Sequence, residues 1–391
     1  MYNFDEITER HGTGSLKYDL ASKRGMPADT LPFWVADMDF KSPPEVLQAL
    51  SQRIDHGIFG YSDSIDESYF NALYGWNRGR FDWNIRPEWI VKVPGVVFAI
   101  CTAIRALTKP GDAVLIQQPV YHPFESSVKD NNRRLVVNEL IYRDGRYRMD
   151  LDEFERQIVE ENVRLFILCS PHNPVGRVWT GEELTAAGDI CARHGVFVIS
   201  DEIHQDFVYS GYRHLVFAGL KPEYADITVT CTAPSKTFNI PGLQISNIFI
   251  CNEDIRRLFI AELRRTGYSQ PNVLGLIACR AAYEKGASWL DELILYLSGN
   301  LALLRDFIKS ELPNIHLVEP EGTYLAWLDF RKSGLSDQEL EQLLVNKGRI
   351  WLSSGPTFGA GGRGFQRFNI ACPRTVLEQG LNRLKEALGS I

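Results

Sequence analysis

Short apolar runs rich in β-branched residues alternate with longer amphipathic segments between about residue 86 and residue 255. The runs are residues 89–93, 113–116, 165–168, 196–199 and 227–230. Each run ends in a polar or glycine-bearing loop, which is the pattern of an α/β fold. Because the runs are apolar on both faces, we expect a large domain built on a mostly parallel sheet that helices cover.

Chemistry-bearing residues follow the predicted strands at the points where the strands end. Gly95 and Asn173 follow the first and third runs. Asp201 and Lys236 follow the fourth and fifth. In open sheets of parallel strands, ligands bind at the carboxyl ends of the strands. We therefore expect these residues to meet in one crevice, although they are far apart in the sequence.

The regular alternation stops after about residue 288, where we expect a smaller α+β domain. Residues 293–311 are typical of a long helix, and residues 323–330 of an alternating strand. Capping-box spacings predict helix starts at Thr180, Ser336 and Thr375, each with a glutamate three residues later.

The N-terminal residues also contain a strand-like piece, residues 34–40, which ends before two prolines. We expect this segment to join the smaller domain. The predicted division has an N-terminal segment of the small domain, a large domain and a C-terminal small domain, at residues 1–45, 46–287 and 288–391.

Composition narrows the possible functions. The 391 residues are 45% hydrophobic, enough for a large core, and the net charge of −7 gives no basic face for nucleic acid. No run of about 18 apolar residues occurs, so no membrane span is expected. The seven cysteines lack any Cys-x-x-Cys spacing and predict reduced thiols in a cytoplasmic protein. The eight histidines show no zinc spacing, and no metal site is expected.

One apparent dinucleotide-binding pattern is better explained as a loop. Residues 359–364 match the spacing G-x-G-x-x-G, but residues 365–371 after them are typical of a strand. The fingerprint requires a helix in that place. We therefore expect a loop here and no nicotinamide cofactor.

Four of the strand-end residues are suited to holding pyridoxal phosphate, although each alone has a commoner explanation. The cofactor needs a lysine amine, an acidic partner for its ring nitrogen and an anion pocket for its phosphate. Lys236 alone is most simply a surface lysine, and Asp201 alone is equally well explained as a helix N-cap. Asn173 alone is most simply a turn residue, and Gly95 a tight turn before a helix. Together they favour the cofactor.

These motifs give the chain a family resemblance. The order Asn173-Pro174-x-Gly176, then Asp201, then Ser235-Lys236 resembles fold-type I pyridoxal-phosphate enzymes of the aspartate aminotransferase superfamily. The resemblance spans essentially the whole chain. It implies the pyridoxal-phosphate-dependent transferase fold, with a mostly parallel sheet of seven strands in the large domain.

The chain is most similar to one branch of that superfamily, the MalY/PatB-type carbon–sulfur lyases, which resemble cystathionine β-lyase. The similar segments are residues 34–40, 60–61, 94–97, 200–204, 235–239 and 367–373. Gln244 stands where many aminotransferases have an arginine, and His204 where many have a tyrosine. Both features resemble the lyase branch. Ala233 stands where a serine is common, so the resemblance leaves the phosphate contacts at this position open.

The resemblance implies a role for each site residue. Lys236 would carry the cofactor covalently and act as general base, while Arg367 would bind the substrate α-carboxylate near Ala36 and Asn173. Tyr61 would reach the phosphate of a neighbouring subunit, which implies a homodimer with shared active sites. Tyr61 and Tyr121 are the other expected catalytic residues. The remaining expected cofactor contacts are Asp201, Asn173, Tyr121, His204, Gly95, Val96, Val97 and Ser235.

The implied activity is α,β-elimination on L-cystathionine or a related cysteine S-conjugate, giving pyruvate, ammonia and a thiol. Two alternatives stay open at this point. One is an aminotransferase with the same apparatus, which needs a keto-acid acceptor. The other is a protein of this fold whose main role is to bind a regulator. Formation of pyruvate without an acceptor separates elimination from transamination.

Overall fold

A sheet of seven strands forms the centre of the protein, whose computed structural model describes residues 2–62 and 66–389. Ser246–Phe249 runs antiparallel to both of its neighbours, and the other strands run in one direction. The expected mostly parallel sheet is therefore confirmed. In spatial order the strands are Ile90–Val93, Ser246–Phe249, Thr228–Thr232, Phe197–Asp201, Val163–Cys169, Ala113–Gln118 and Arg134–Glu139.

Two strands of this sheet have no counterpart among the predicted runs. Ser246–Phe249 is fully buried although half of its residues are polar. Its Asn247 side chain accepts a hydrogen bond of 2.7 Å from the hydroxyl of Tyr69, which satisfies a polar group inside the sheet. Arg134–Glu139 lies at the sheet edge and exposes its two ends, so its apolar run is short.

Both faces of the sheet are covered by apolar packing. Leu115 and Phe166 belong to one buried cluster, whereas their neighbours Val114 and Leu165 belong to another, as the two-residue strand period requires. Within the described residues, no helix has both the length and the apolar character needed to cross a membrane. The α-helices are Leu16–Lys23, Pro44–His56, Glu67–Phe81, Val96–Leu107, Pro123–Asp130, Leu151–Glu160, Gly181–His194, Pro222–Ala225, Pro234–Thr237, Glu253–Arg265, Val273–Lys285, Ala287–Glu311, Asp337–Asn346 and Arg374–Leu388.

Two of the three predicted capping boxes are present. Thr180 and Ser336 each accept a hydrogen bond from the backbone of the glutamate three residues later, which bonds back to the cap. The prediction at Thr375 is wrong, because the helix Arg374–Leu388 has already begun there and Pro373 is its N-cap. Proline fixes a φ suited to a helix entry and provides the start without a side-chain cap.

A second, antiparallel sheet lies in the C-terminal part, as the α+β expectation requires. Its strands in order are His316–Val318, Leu325–Asp329, Phe365–Asn369 and Ser353–Ser354. The N-terminal strand Leu31–Pro32 pairs in parallel with Ile350–Trp351, which ties the start of the chain to this part. Residues 359–364 precede the strand Phe365–Asn369, so the glycine pattern is a loop as expected. The domain limits 1–45, 46–287 and 288–391 stay a prediction.

Residues 34–40 form no strand, so the predicted strand-like conformation is wrong. Side chains bond much of the backbone of this segment, and Asp39 N donates a hydrogen bond of 2.9 Å to the backbone oxygen of Ala371, which lies outside any strand. Asn239 accepts a hydrogen bond of 3.0 Å from Met38 N and donates one of 2.8 Å to Met38 O. Asn369 donates one of 2.6 Å to Val35 O. The two asparagines replace the strand partner and hold the segment beside the sheet.

Candidate active site

One cavity of about 740 Å³ lies at the carboxyl ends of the parallel strands. It is lined by every predicted site residue except Tyr61. Tyr61 is 95% exposed on the surface of the chain and does not contact this cavity. The residues that the structure brings together are Ala36, Gly95, Val96, Val97, Tyr121, Asn173, Asp201, His204, Ser235, Lys236 and Arg367.

Lys236 enters the cavity from the short helix Pro234–Thr237, which directly follows the strand Thr228–Thr232. Its Nζ donates a hydrogen bond of 2.8 Å to the carbonyl oxygen of Ala36. Burial, followed by the positive charge of Arg367, lowers the pKa of Lys236 to about 8. An amine with this pKa is partly uncharged near neutral pH, the form that a nucleophile or base requires.

Asp201 is the last residue of the strand Phe197–Asp201 and is almost fully buried. Its Oδ1 accepts a hydrogen bond of 3.1 Å from the backbone of Ile203. Burial, and to a smaller degree the negative charge of the neighbouring Glu202, raises the pKa of Asp201 to about 7. A buried carboxylate in this state gains stability from any cation placed against it.

Arg367 lies on the strand Phe365–Asn369 and is held by three partners. Its Nη1 donates to Asn173 Oδ1 at 3.0 Å, and its Nη2 donates to Trp34 O at 2.7 Å and to Ser353 Oγ at 3.1 Å. Its buried Nε has no hydrogen-bond partner within the described residues. Burial lowers the pKa of Arg367 to about 10, so it stays charged at neutral pH.

His204 is fully buried on the floor of the cavity. Burial, followed by the positive charges of Lys236 and Arg367, lowers the pKa of His204 to about 3. The imidazole is therefore neutral at physiological pH and adds no charge to the site. Its Nδ1 has no partner in the part of the chain that the structure describes.

The helix Val96–Leu107 begins at the cavity wall with Gly95 as its N-cap. Its first backbone N–H groups have no partner inside the helix and point outward from its start. Ser235 lies in the same cavity and adds a hydroxyl. Free amides at a helix start together with a neutral hydroxyl suit a phosphate group.

The sequence analysis missed several residues of the cavity wall. Ser353 bonds both Arg367 and the carbonyl of Trp34, the latter at 2.8 Å, and so orients the arginine. Trp351 and Glu341 also line the cavity. Ser353 and Trp351 lie on strands of only two residues, too short for a periodic signal, and Glu341 lies on the helix Asp337–Asn346, where a charged residue is ordinary.

The seven-stranded sheet, the second sheet and the position of the lysine define the fold of the fold-type I pyridoxal-phosphate-dependent transferases. The chain belongs to the aminotransferase class I and II family, which it matches over residues 29–384. The resemblance inferred from the motifs is therefore confirmed.

Individual relatives are similar over their whole lengths. The chain is 46% identical to cystathionine beta-lyase PatB of Bacillus subtilis, covering 99% of this chain and 100% of that protein. It is 36% identical to protein MalY of Escherichia coli, with 100% of both chains covered. The crystal structure of cystalysin from Treponema denticola contains a pyridoxal 5′-phosphate cofactor and matches with a TM-score of 0.97. That match has 39% identity and covers 100% of this chain and 99% of cystalysin.

Proposed function

We propose that this protein is a pyridoxal-phosphate-dependent carbon–sulfur lyase that eliminates a thiol from L-cystathionine or related cysteine S-conjugates. The observation that carries the proposal is that Lys236, Asp201 and Arg367 line one cavity. The names of its relatives supply the reaction type, since a protein 46% identical over its full length is a cystathionine beta-lyase.

The cavity residues fit the cofactor on their own chemistry. Lys236 offers a primary amine of lowered pKa, and Asp201 offers a buried carboxylate that forms no ion pair within the described residues. A protonated ring nitrogen supplies a cation for this carboxylate. The start of the helix Val96–Leu107 offers amides to a phosphate. Asn173 and the neutral His204 are assigned to the ring oxygen of the cofactor, and Tyr121 is assigned to the face of the cofactor ring.

Substrate binding is assigned to Arg367, with Ala36 and Asn173 beside it. A planar guanidinium recognises a carboxylate through two parallel hydrogen bonds. Three contacts already fix the orientation of this guanidinium before substrate arrives. The α-carbon of a bound amino acid is thereby directed toward the interior of the cavity, where Lys236 lies.

Lys236 removes the α-proton with its neutral amine. The bound cofactor supplies an electron sink for the pair of electrons left on the α-carbon. The Cβ–S bond then breaks, and its electron pair leaves with sulfur as a thiolate that takes up a proton. For cystathionine the balance is one substrate and one water converted to pyruvate, ammonia and homocysteine.

The proposal includes a homodimer in which Tyr61 reaches the phosphate of the neighbouring subunit. Its support is an exposed apolar stretch that begins on the helix Pro44–His56 and continues beyond it. Ile54, Ile58 and Phe59 are each more than half exposed there, which is costly for a monomer. We also assign the protein to the cytoplasm, because all seven cysteines are free thiols, as in a reducing compartment.

The decisive assay measures pyruvate released from L-cystathionine by the cofactor-loaded protein with no keto acid present. We expect sustained release, with a loss of several orders of magnitude in Lys236→Ala and little change in the exposed control Lys109→Ala. Borohydride reduction followed by peptide mapping should place the cofactor on Lys236. Product formation that requires a keto-acid acceptor would instead identify an aminotransferase.

A further inference from the structure

The outer wall of the active-site cavity carries two charged residues that the proposed reaction does not use. Arg24 and Glu341 line this wall, together with Trp34 and Trp351. Arg24 follows the helix Leu16–Lys23, and Glu341 lies on a helix of the C-terminal part. This wall is therefore formed by residues from both the N-terminal and the C-terminal parts of the chain.

Arg24 lies beside a stacked pair of tryptophans. The rings of Trp34 and Trp351 stack with centroids 4.2 Å apart and an angle of 19°. The guanidinium carbon of Arg24 lies 5.7 Å from the first centroid and 5.4 Å from the second. Its backbone N–H bonds to Leu20 O at 3.1 Å, which fixes the base of the side chain. Because the two rings are only 4.2 Å apart, the near-equal distances to their centroids place the guanidinium beside the ring pair and within cation–π distance of both tryptophans.

The same tryptophan links Arg24 to the inner site. Trp34 O accepts the hydrogen bond of 2.7 Å from Arg367, while the Trp34 ring centroid lies 5.7 Å from the guanidinium carbon of Arg24. The inner guanidinium, assigned to the substrate α-carboxylate, and the outer one are thus separated by a single residue. Both arginines line the same cavity.

Neither outer charge is neutralised by the part of the chain that the structure describes. Within residues 2–62 and 66–389, the guanidinium of Arg24 and the carboxylate of Glu341 have no ion-pair or hydrogen-bond partner. One cationic and one anionic group on the same wall match the carboxylate and the ammonium of an α-amino acid.

We propose that Arg24 and Glu341 form a leaving-group subsite that selects cysteine S-conjugates whose thiol part carries charged groups. Arg24 binds a carboxylate of the leaving group, and Glu341 binds an ammonium. This inference rests on the proposed lyase function and specifies its substrate class. A zwitterionic amino-acid thiol, as in cystathionine, satisfies both charges at once.

The test uses three cofactor-loaded assays on substrates that differ only at the end of the sulfur substituent. They are S-(2-carboxyethyl)-L-cysteine, S-(2-aminoethyl)-L-cysteine and the uncharged S-ethyl-L-cysteine. Arg24→Gln should lower kcat/KM for the carboxyethyl substrate about tenfold more than for the ethyl one. Glu341→Gln should lower it selectively for the aminoethyl substrate, by about threefold because the carboxylate is exposed.

The losses should fall mainly on KM, because a leaving-group contact is made before the chemical step as well as during it. Arg24→Lys should retain part of the carboxyethyl preference. Arg86→Gln is the matched control, because the Arg86 guanidinium lies 5.4 Å from the centroid of the Trp89 ring and Arg86 does not line the cavity. This change should leave the relative kcat/KM values of the three substrates unchanged.

Calorimetry gives a readout without turnover. L-2,7-diaminooctanedioic acid, which replaces the sulfur of cystathionine by a methylene, cannot release a thiol. Arg24→Gln should raise its Kd about tenfold and leave that of L-2-aminooctanoic acid, which lacks the distal charges, within about twofold.

The outcomes separate the two proposals. Equal losses on all three substrates in Arg24→Gln, or no loss on any, would overturn the subsite while leaving the lyase intact. If the wild-type protein released no pyruvate even from S-ethyl-L-cysteine, the lyase proposal itself would fail, and the calorimetric comparison would still report on Arg24.

Discussion

Lys236 and Ala36 are 200 residues apart in the chain, yet Lys236 Nζ donates a 2.8 Å hydrogen bond to Ala36 O. The hydroxyl of Tyr324 donates to the same oxygen at 3.0 Å. The amine is therefore held by a neutral acceptor rather than by a carboxylate. A carboxylate in this place would stabilise the ammonium form and keep the pKa high, whereas burial here lowers the pKa of Lys236 to about 8.

The first prediction concerns the pH dependence of cofactor attachment. Only the neutral amine attacks an aldehyde, so the attachment rate of the cofactor-free protein should rise with pH and level off above about 8. Stopped-flow absorbance of the lysine-linked cofactor measures this rate. A midpoint near the ordinary value for lysine would contradict the lowered pKa.

Two variants check the electrostatic cause. Arg367→Gln removes the positive charge that lowers the pKa of Lys236, so the midpoint should move to higher pH. Asp201→Asn removes a negative charge that raises this pKa, and the midpoint should move to lower pH. Arg363→Gln, at an exposed position outside the cavity, should leave the midpoint unchanged.

The second prediction concerns the stability of the cofactor-free protein. The pKa of Asp201 is raised by burial from 3.8 to about 7, so the folded state binds this proton more tightly than the unfolded state. Its contribution to stability is fully present below the lower value and is lost as pH rises through about 7. Asp201→Asn should therefore gain stability relative to wild type over this range, by about 1–3 kcal/mol.

Urea unfolding at a series of pH values measures this difference. With saturating cofactor the sign should reverse, because the wild-type carboxylate then has its cation and the bound cofactor stabilises the folded state. A variant that is less stable than wild type at every pH without cofactor would show that Asp201 is already paired within the protein.

The third prediction concerns Arg367→Lys. Lysine keeps the charge but loses the planar fork and cannot bond Asn173, Trp34 and Ser353 together. We expect kcat/KM for cysteine S-conjugates to fall about 100-fold, with most of the loss in KM. Steady-state kinetics measure the loss, and Arg363→Lys is the surface control. An unchanged KM would assign the α-carboxylate to another group.

The strand ends could be predicted from the sequence because their signal is local. A buried parallel strand reads as a continuous apolar run, and Asp201 and Lys236 follow such runs directly. The strand Ser246–Phe249 could not be predicted in this way, because half of its residues are polar. The side chain of Asn247 is hydrogen-bonded by Tyr69, which is distant in the sequence. No sequence window contains both residues.

The conformation of residues 34–40 could not be predicted for a related reason. Their alternating apolar pattern is that of a strand, but Asn239 and Asn369 take the backbone groups that a strand partner would use. Both asparagines are more than 190 residues away. The stacking of Trp34 on Trp351, which forms the outer cavity wall, depends on the same long-range arrangement.

The last prediction tests how firmly this N-terminal segment is attached. Gly380 lies in the helix Arg374–Leu388, where an added Cβ would come within 2.5 Å of the ring of Phe33. Phe33 directly precedes Trp34 in the chain and is buried. Its backbone N–H donates a hydrogen bond of 2.8 Å to Trp351 O. Gly380→Ala should therefore displace Phe33 and lower the free energy of unfolding by about 1–3 kcal/mol.

The displacement should also reach the active site, because residues 34–36 follow Phe33 without a break. We expect KM to rise for the carboxyethyl substrate, because the Trp34 ring contacts Arg24, the proposed partner of the distal carboxylate. Gly79→Ala is the matched control: Gly79 also lies within a helix, Glu67–Phe81, but nothing stands within 4 Å of its added Cβ. That change should stabilise the protein by about 0.5–1 kcal/mol, as alanine does in an unobstructed helix, with unchanged kinetics. Equal effects of the two substitutions in urea unfolding would show that the contact between Gly380 and Phe33 does not hold the segment.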